Sequence, residues 1–223
     1  SLDSLTSFVP AGLELSFEAV LGNPDLDDVQ PLVGKLRELG WQVAAVMPGA
    51  ETGVELADTL ADELRLRGNG VVLSEARRNK YLMGETVRAA GVRAARQALV
   101  TTADAARSFV EEFDMSVDKL VVKPSESAGS DDVFLCASAE EVYDAITRIV
   151  GKVNCLGEAN TAVLVQEYLD GTEYVVDAVS RDGEHKIVAV WEYDRQPING
   201  RNFVCHGQWM LTTADPVVQQ LIE

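Results

Sequence analysis

Residues 121–133 read VVKPSESAGSDDV, and this stretch sets the interpretation of the sequence around it. A short apolar run ends on Lys123, a loop of small residues follows, and a second apolar run begins at Val133. Small residues let backbone amides approach the oxygens of an anion, and a lysine at a strand end is held at a defined point. Gly/Ser loops are equally common at hairpin tips that bind nothing. Alone, the stretch leaves both interpretations open, and it lacks the Gly-Lys-Ser/Thr of a P-loop.

The flanking segments predict a small sheet. An apolar run leads to Val100, and the remaining elements follow from hydrophobic periodicity: strands at 119–123, 133–137 and 162–168, and helices at 104–113 and 140–150. The order β-α-β-β-α-β across residues 97–169 is typical of a small sheet with two helices on one face. We therefore expect a small domain at 97–169.

The pattern changes after Asp170-Gly171. Long alternating runs at 173–180 and 185–193 flank Asp182-Gly183, which predicts a hairpin, and a third run covers 203–211. Pro216 opens a helix at a favourable first position. Residues 170–223 are therefore expected to begin a larger, antiparallel domain.

The N-terminal third alternates short apolar runs with helical segments. Helices are expected at 27–39 and 52–66, a strand at 41–47, and a long helix that Ser74 caps and that reaches Ala90. Such repetition favours a parallel sheet covered by helices. The fold class expected overall is α/β (α+β), with a partial Rossmann-like domain at 1–75 and a linker helix at 76–96.

A second stretch that could bind a ligand or take part in catalysis is VLVQEYLDGTEY, residues 163–174. A buried strand runs into a hinge that carries Glu167 and Glu173. The backbone at Tyr168 and Leu169 could offer the donor and acceptor that an adenine edge needs, and Glu173 could accept from ribose hydroxyls. A strand end with solvated acids is the simpler interpretation of either glutamate by itself.

A third stretch, RRNKYLM at residues 77–83, puts Lys80 in the first turn of a helix. Helix N-termini favour anions, so Lys80 could reach a phosphate. A solvated basic turn is the alternative.

Composition narrows the function classes. The net charge of −17 over 223 residues argues against nucleic acid, although two lysines can still make a local cationic site. No apolar run approaches the ~20 residues that span a bilayer, and no leader opens the sequence, so we expect no membrane contact and a cytoplasmic protein. The cysteines, Cys136, Cys155 and Cys205, lack zinc spacing and are expected to be buried, reduced thiols. No metal ligand is assigned within the chain.

Taken in order over residues 40–212, these segments resemble the ATP-grasp superfamily. In that family a linker-helix lysine, a strand lysine with a glycine-rich loop, and an acidic hinge close around ATP. The resemblance implies that Lys80 and Lys123 hold phosphates and act in catalysis. It also implies nucleotide contacts from the loop and the hinge: Ser127, Ala128, Gly129, Ser130, Val133, Glu167, Tyr168, Leu169 and Glu173.

Within the superfamily, the stretch PGAETGVELAD at residues 48–58, followed by RRNKYLM, is most similar to L-amino-acid ligases of the bacilysin and dapdiamide synthetase type. The likeness implies that Glu51 lies near a substrate amino group and that His206 faces the substrate. A helix-cap acid and a satisfied strand histidine are the alternatives.

The resemblance implies an ATP-dependent carboxylate–amine ligase that works through an acyl phosphate and joins amino acids, with ATP and Mg²⁺. A biotin-carboxylase or carbamoyl-phosphate type of ATP-grasp enzyme and a non-catalytic nucleotide-binding fragment are the alternatives. The acidic pair and asparagine that hold magnesium in the family have no match before Glu223, and the first strand and its glycine-rich turn are not evident before residue 30. We therefore expect a chain truncated at both ends, with impaired catalysis. The sequence leaves open whether the protein forms a homodimer.

Overall fold

The computed structural model describes residues 17–22, 25–26 and 28–222 of the chain. They divide into two compact units. Unit 1 contains the residues up to Ala94 together with 125–128 and 153–159. Unit 2 contains 95–124, 129–152 and the residues from Asn160 onward. The predicted domain limits at 75, 96 and 169 stay predictions.

Unit 1 is built from helices: α1 Gln30–Glu38, a 3-10 turn Glu51–Gly53, α2 Val54–Glu63, α3 Ser74–Arg78 and α4 Lys80–Ala89. A bridge between Val153 and Ala159 closes the short segment 153–159. Buried Asp58 on α2 accepts from Ser74 Oγ and from Arg77 Nη1, both at 2.7 Å, and so ties α2 to α3.

Two predictions for this region are wrong. Residues 41–47 form no strand, and the described part of the chain contains none before Gln97. A strand needs a neighbouring strand to pair with. Most of this segment is exposed to solvent, and Met47 is 83% exposed. The long helix is broken at Asn79, whose extended backbone (φ −82°, ψ 117°) separates α3 from α4. The region before residue 30, in which no first strand is evident from the sequence, lies largely outside the described residues.

Unit 2 begins with the predicted small sheet, which the structure confirms. Its strands are ordered β1-β4-β2-β3, and every neighbouring pair is antiparallel. The elements are β1 Gln97–Val100, a 3-10 turn Asp104–Ala106, α5 Arg107–Val110, β2 Leu120–Pro124, β3 Phe134–Cys136, α6 Ala139–Ile149 and β4 Val163–Glu167. The helix expected at 104–113 is shorter, because a 3-10 turn forms its first part.

One face of this sheet packs against the helices. Val142, Ile146 and Ile149 of α6 are at most 1% exposed and contact a core that includes Leu120 and Val122 of β2. Burying an aliphatic side chain of this size contributes about 1.5–3 kcal/mol, so α6 is a main source of the unit's stability. Because side chains alternate along a strand, Val121 and Lys123 point to the opposite face.

A second, three-stranded antiparallel sheet follows in the order β5-β6-β7, with β5 Glu173–Arg181, β6 Glu184–Ile198 and β7 Arg201–Met210. Helix α7, Pro216–Ile222, ends the described chain. The predicted turn is present, since Asp182 (φ 53°) and Gly183 (φ 82°) both lie in the left-handed region that a tight hairpin requires. Asn199 (φ 52°) and Gly200 (φ 75°) make a second such turn, so β6 runs five residues beyond the predicted Tyr193.

The cysteines differ from expectation. Cys136 is buried in the core, where burial raises the pKa of its thiol to about 12. Cys155 and Cys205 are exposed, so the prediction that all three are buried is wrong for these two.

Candidate functional site

A cleft of about 640 Å³ lies in unit 2, a size typical of small-molecule sites. Three predicted residues, Tyr168, Leu169 and Glu173, line it. They lie where the chain leaves β4 and enters β5. The other walls come from β3, β6, β7 and the chain around them: Leu135, Gly171, Thr172, Glu192, Tyr193, Asp194, Arg195, Gln196, Pro197, Asn202, Phe203 and Trp209.

The hinge backbone is partly engaged already. The Tyr168 amide donates to the Lys119 carbonyl at 3.0 Å, which continues the β2–β4 ladder by one step. The donor that the sequence assigned to this hinge therefore falls to Leu169, which is 58% exposed. The Tyr168 ring lies 6.0 Å from that of Phe203 on β7, within the range of aromatic pairing. The two rings place an aromatic wall beside the hinge.

Glu173 carries a two-pronged ion pair. Its two carboxylate oxygens accept from Arg195 Nε and Nη2, each at 2.9 Å. A carboxylate offers about four lone-pair positions, so this pairing leaves acceptor capacity for a hydroxyl. Arg195 also donates to the Phe203 carbonyl at 3.1 Å and lies over the Tyr193 ring. The sequence did not assign Arg195 a role, since its partner is 22 residues away.

Lys123 shares a sheet face with one wall of the cleft. Val121 pairs with Leu135, a cleft residue, and Lys123 lies two residues further along β2 on the same face. Its ammonium donates to Gln166 Oε1 at 2.9 Å. Gln166 was not assigned a role from the sequence, although alternation along β4 puts it on this face.

Glu167 points to the other side of β4. Its Oε1 accepts from the Arg96 amide at 2.9 Å, and its Oε2 lies 3.4 Å from Arg96 Nε. The carboxylate is therefore engaged on the face of the sheet that the helices cover. Any contribution of this residue to the Lys123 face would come from its backbone.

The second half of the small-residue loop also belongs to unit 2. Gly129 (φ 65°), Ser130 (φ 59°) and Asp132 (φ 48°) all adopt left-handed backbone, which is costly for the two non-glycine residues. Ser130 Oγ donates to the Phe203 carbonyl at 3.2 Å, so the loop is fixed to β7. Val133 is half-buried just before β3.

The first half of the loop belongs to unit 1, where the structure brings it together with Lys80. Lys80 Nζ donates to the Ser127 carbonyl at 2.5 Å, and the Lys80 amide donates to the Ser125 carbonyl at 3.0 Å. Ser127 is 5% exposed, and its Oγ lies 3.5 Å from Cys155 Sγ. Cys155 Sγ also donates to the Ala128 carbonyl at 3.5 Å. Burial, and then the nearby Arg78 guanidinium, lower the pKa of the Lys80 ammonium.

Two residues that the sequence did not single out hold this half-loop. Asn79 Nδ2 donates to Glu126 Oε1 at 2.6 Å. The buried Arg78 donates from Nη2 to the Glu126 carbonyl at 3.0 Å and lies 3.2 Å from Glu158 Oε2. Both directly precede Lys80, so one short segment anchors the loop at several points.

The two predicted substrate residues are exposed. Glu51 lies on the 3-10 turn of unit 1, with its carboxylate 3.8 Å from Arg78 Nη1. His206 lies on β7, where Asp194 pairs with Gly207 and Arg195 pairs with Cys205. It is therefore the extra residue of a β-bulge, a feature that redirects side chains and is frequent near functional sites.

A match to a known protein family identifies the family of this chain. Phosphoribosylglycinamide synthetase, ATP-grasp (A) domain, matches residues 78–198, more than half of the chain. The chain belongs to the ATP-grasp family. The resemblance drawn from the sequence is thereby confirmed, and the matched range includes Lys80, Lys123 and the whole hinge.

Two curated proteins and one solved structure are among those similar to this chain. Dapdiamide A synthase of Enterobacter agglomerans is 34% identical over 174 residues, which cover 78% of this chain and 40% of the relative. Alanine–anticapsin ligase of Bacillus subtilis (strain 168) is 25% identical over 162 residues, covering 65% and 33%. The crystal structure of an L-amino acid ligase from Bacillus licheniformis superposes with a TM-score of 0.64 at 16% identity, over 89% of this chain and 44% of that one. The chain thus spans less than half the length of these relatives.

ATP-grasp enzymes use ATP, and Mg²⁺ is typical of the family. In the part of the chain that the structure describes, no group of three or more His, Cys, Asp or Glu side chains could hold a metal ion. Within the same described residues, no helix is long and apolar enough to cross a membrane.

Proposed function

We propose that unit 2 binds ATP in the cleft beside β4. The proposal rests on the positions of the hinge residues that follow β4 and of Lys123 on the neighbouring strand β2. The hinge residues Tyr168, Leu169 and Glu173 line the cleft, while Lys123 and the cleft residue Leu135 lie on one face of the adjoining sheet. An apolar and aromatic wall, a carboxylate and a fixed ammonium match the three parts of a nucleotide.

Each part of the nucleotide has a proposed partner. The adenine packs against Tyr168 and bonds the hinge backbone at Leu169. The ribose hydroxyls donate to Glu173, whose orientation Arg195 fixes. Lys123 binds a phosphate oxygen, a charge-assisted bond of roughly 1.5–3 kcal/mol. The loop residues Gly129 and Ser130 offer backbone to the phosphates. For Lys80, in unit 1, binding of a phosphate stays a prediction from the sequence.

For the longer proteins of this family to which the chain is similar, we propose ATP-dependent ligation of a carboxylate to an amine. The carboxylate oxygen forms a bond to the γ-phosphorus, the bond to the bridging β,γ-oxygen breaks, and ADP leaves. The amine nitrogen then bonds to the acyl carbon, the acyl C–O bond breaks, and phosphate leaves as the amine loses a proton. Lys123 offsets the charge that develops on the transferred phosphoryl group.

Amino acids are the proposed substrates. This proposal relies on the names of the two relatives, one a dapdiamide synthase and one an alanine–anticapsin ligase. Glu51 would bind a substrate amino group, and its exposed carboxylate suits that role. His206 would face the substrate from the β7 bulge. The chain covers only 40% of the first relative, so the activity is proposed for proteins of that length.

Calorimetric titration of the chain with ATP tests the nucleotide proposal. Lys123→Ala should weaken ATP binding by about tenfold or more, because it removes a charge-assisted hydrogen bond. Lys119→Ala is the matched control, since Lys119 is an exposed lysine one residue before β2, and it should leave the affinity within about twofold. Equal affinity in the wild type and the Lys123 variant would contradict the assignment. Phosphate release stimulated by amino acids separates turnover from binding alone.

A further inference from the structure

Three polar side chains form a continuous row across neighbouring strands of the small sheet in unit 2. Lys123 Nζ on β2 donates to Gln166 Oε1 on β4 at 2.9 Å. Gln166 Nε2 then donates to Gln97 Oε1 on β1 at 3.1 Å. Gln97 and Gln166 are direct register partners, and all three side chains are half-buried.

The direction of the row is fixed by its lysine. An ammonium has donors and no acceptor, so the Gln166 amide must turn its oxygen toward Lys123. The NH₂ group of Gln166 then faces β1, where the Gln97 oxygen accepts from it. Lys123 and Gln97 therefore favour the same orientation of the Gln166 amide, and Gln97 holds Gln166 where its oxygen accepts from the ammonium.

Holding the ammonium matters because a lysine side chain is long and flexible. Its rotamer freedom must be lost when it binds a ligand, and a side chain that is already held loses less. Without the Gln97 oxygen, the Gln166 amide loses its hydrogen bond to β1 and is held less firmly. The oxygen that accepts from Lys123 is then less fixed, and so is the ammonium.

We propose that Gln97 is a positioning residue for Lys123 and acts through Gln166. This inference rests on the proposed role of Lys123 as a phosphate ligand. Gln97 itself contacts no nucleotide in this scheme. Its contribution should therefore appear only for ligands that carry the phosphates that Lys123 binds.

The test is calorimetric titration of the full chain with ATP and with adenosine. Gln97→Met keeps the length of the side chain and removes its acceptor. We expect it to weaken ATP binding about fivefold, the effect of one ordinary hydrogen bond, and to leave adenosine binding unchanged. In a Lys123→Ala background, Gln97→Met should have no further effect on ATP binding, because the two residues act on the same interaction.

Leu99→Met is the matched control, since Leu99 lies two residues further along the same edge strand and on the same face. It should bind both ligands like the wild type. Gln97→Thr is a second variant, whose side chain suits a strand and is too short to reach Gln166, and it should behave like Gln97→Met.

The outcomes separate the inference from the proposed function. Equal losses for ATP and adenosine, the same loss in the Lys123→Ala background, or unchanged ATP affinity in both Gln97 variants would overturn the role of Gln97. Unchanged ATP affinity in Lys123→Ala alone would overturn the phosphate role of Lys123, and the inference with it. A wild-type chain that binds adenosine and ATP with equal affinity would also overturn both the phosphate role of Lys123 and the inference about Gln97.

Discussion

Glu55 lies in an acidic part of unit 1, around the buried Arg78. Partial burial, and then repulsion from Glu126 and Glu75, raise the pKa of the Glu55 carboxyl above its ordinary value of 4.5. The charged form is therefore less favourable in the folded chain than in the unfolded one. This cost is fully present at pH values above the raised folded pKa and disappears as the pH falls below 4.5.

Glu55→Gln should consequently stabilise the chain at pH 7. The gain should stay below about 1 kcal/mol, because the residue is only partly buried and solvent screens its charge. Urea unfolding at pH 7 and at pH 4 measures it, and the gain should shrink at the lower pH. Glu63→Gln, an exposed change on the same helix, is the control. A loss of stability at pH 7 would contradict the electrostatic explanation.

The residues of the candidate site were only partly predictable from the sequence. Tyr168, Leu169 and Glu173 were recognisable, because they follow a buried strand and precede a turn. Gln166 could have been found too, since alternation puts it on the face of Lys123 and puts Glu167 on the other. The partners Arg195 and Arg96 could not, because a pairing across 22 or 71 residues depends on strand register.

At the scale of elements, Asn79 both ends α3 and begins α4. Its Oδ1 accepts from the amides of Tyr81 and Leu82, and its Nδ2 donates to Glu126. The Asn79 side chain therefore caps the start of α4 and also anchors the half-loop 125–128. The break places Lys80 in the first turn of α4 instead of the middle of a longer helix.

Asn79→Ala should destabilise the chain by about 2–3 kcal/mol, because it removes an N-cap worth about 1 kcal/mol and a bond to a carboxylate. Asn79→Ser is the matched variant. It keeps a capping oxygen and is too short to reach Glu126, so it should cost about 1 kcal/mol less than the alanine variant. Urea unfolding gives both values, and amide exchange at 125–128 should speed up in each. Equal stability of the two variants would show that the cap contributes nothing.

Elements were predictable where hydrophobic periodicity and a local cap agree. Helix α6 was expected at 140–150 and spans Ala139–Ile149, with Ser138 accepting from the Glu141 amide as its cap. Residues 41–47 have strand composition and form no strand, because pairing is a property of the tertiary structure. The Asn199-Gly200 turn was a readable signal of the longer β6.

At the scale of the whole molecule, a chain of net charge −17 is expected to bind a polyphosphate. Screening resolves this tension, because exposed charges farther away than about 8 Å contribute little at physiological salt. What counts is the immediate surroundings of Lys123, and its neighbours in the row are two neutral amides. ATP is the ligand that we propose for that face, in keeping with the membership of the chain in the ATP-grasp family.

A crystal structure of this chain with a non-hydrolysable ATP analogue tests the central claim most directly. We expect the adenine to lie against Tyr168 and Leu169 in the unit 2 cleft, with a phosphate oxygen about 3 Å from Lys123 Nζ. A nucleotide bound elsewhere, or bound in the cleft with its phosphates directed away from Lys123, would contradict the account.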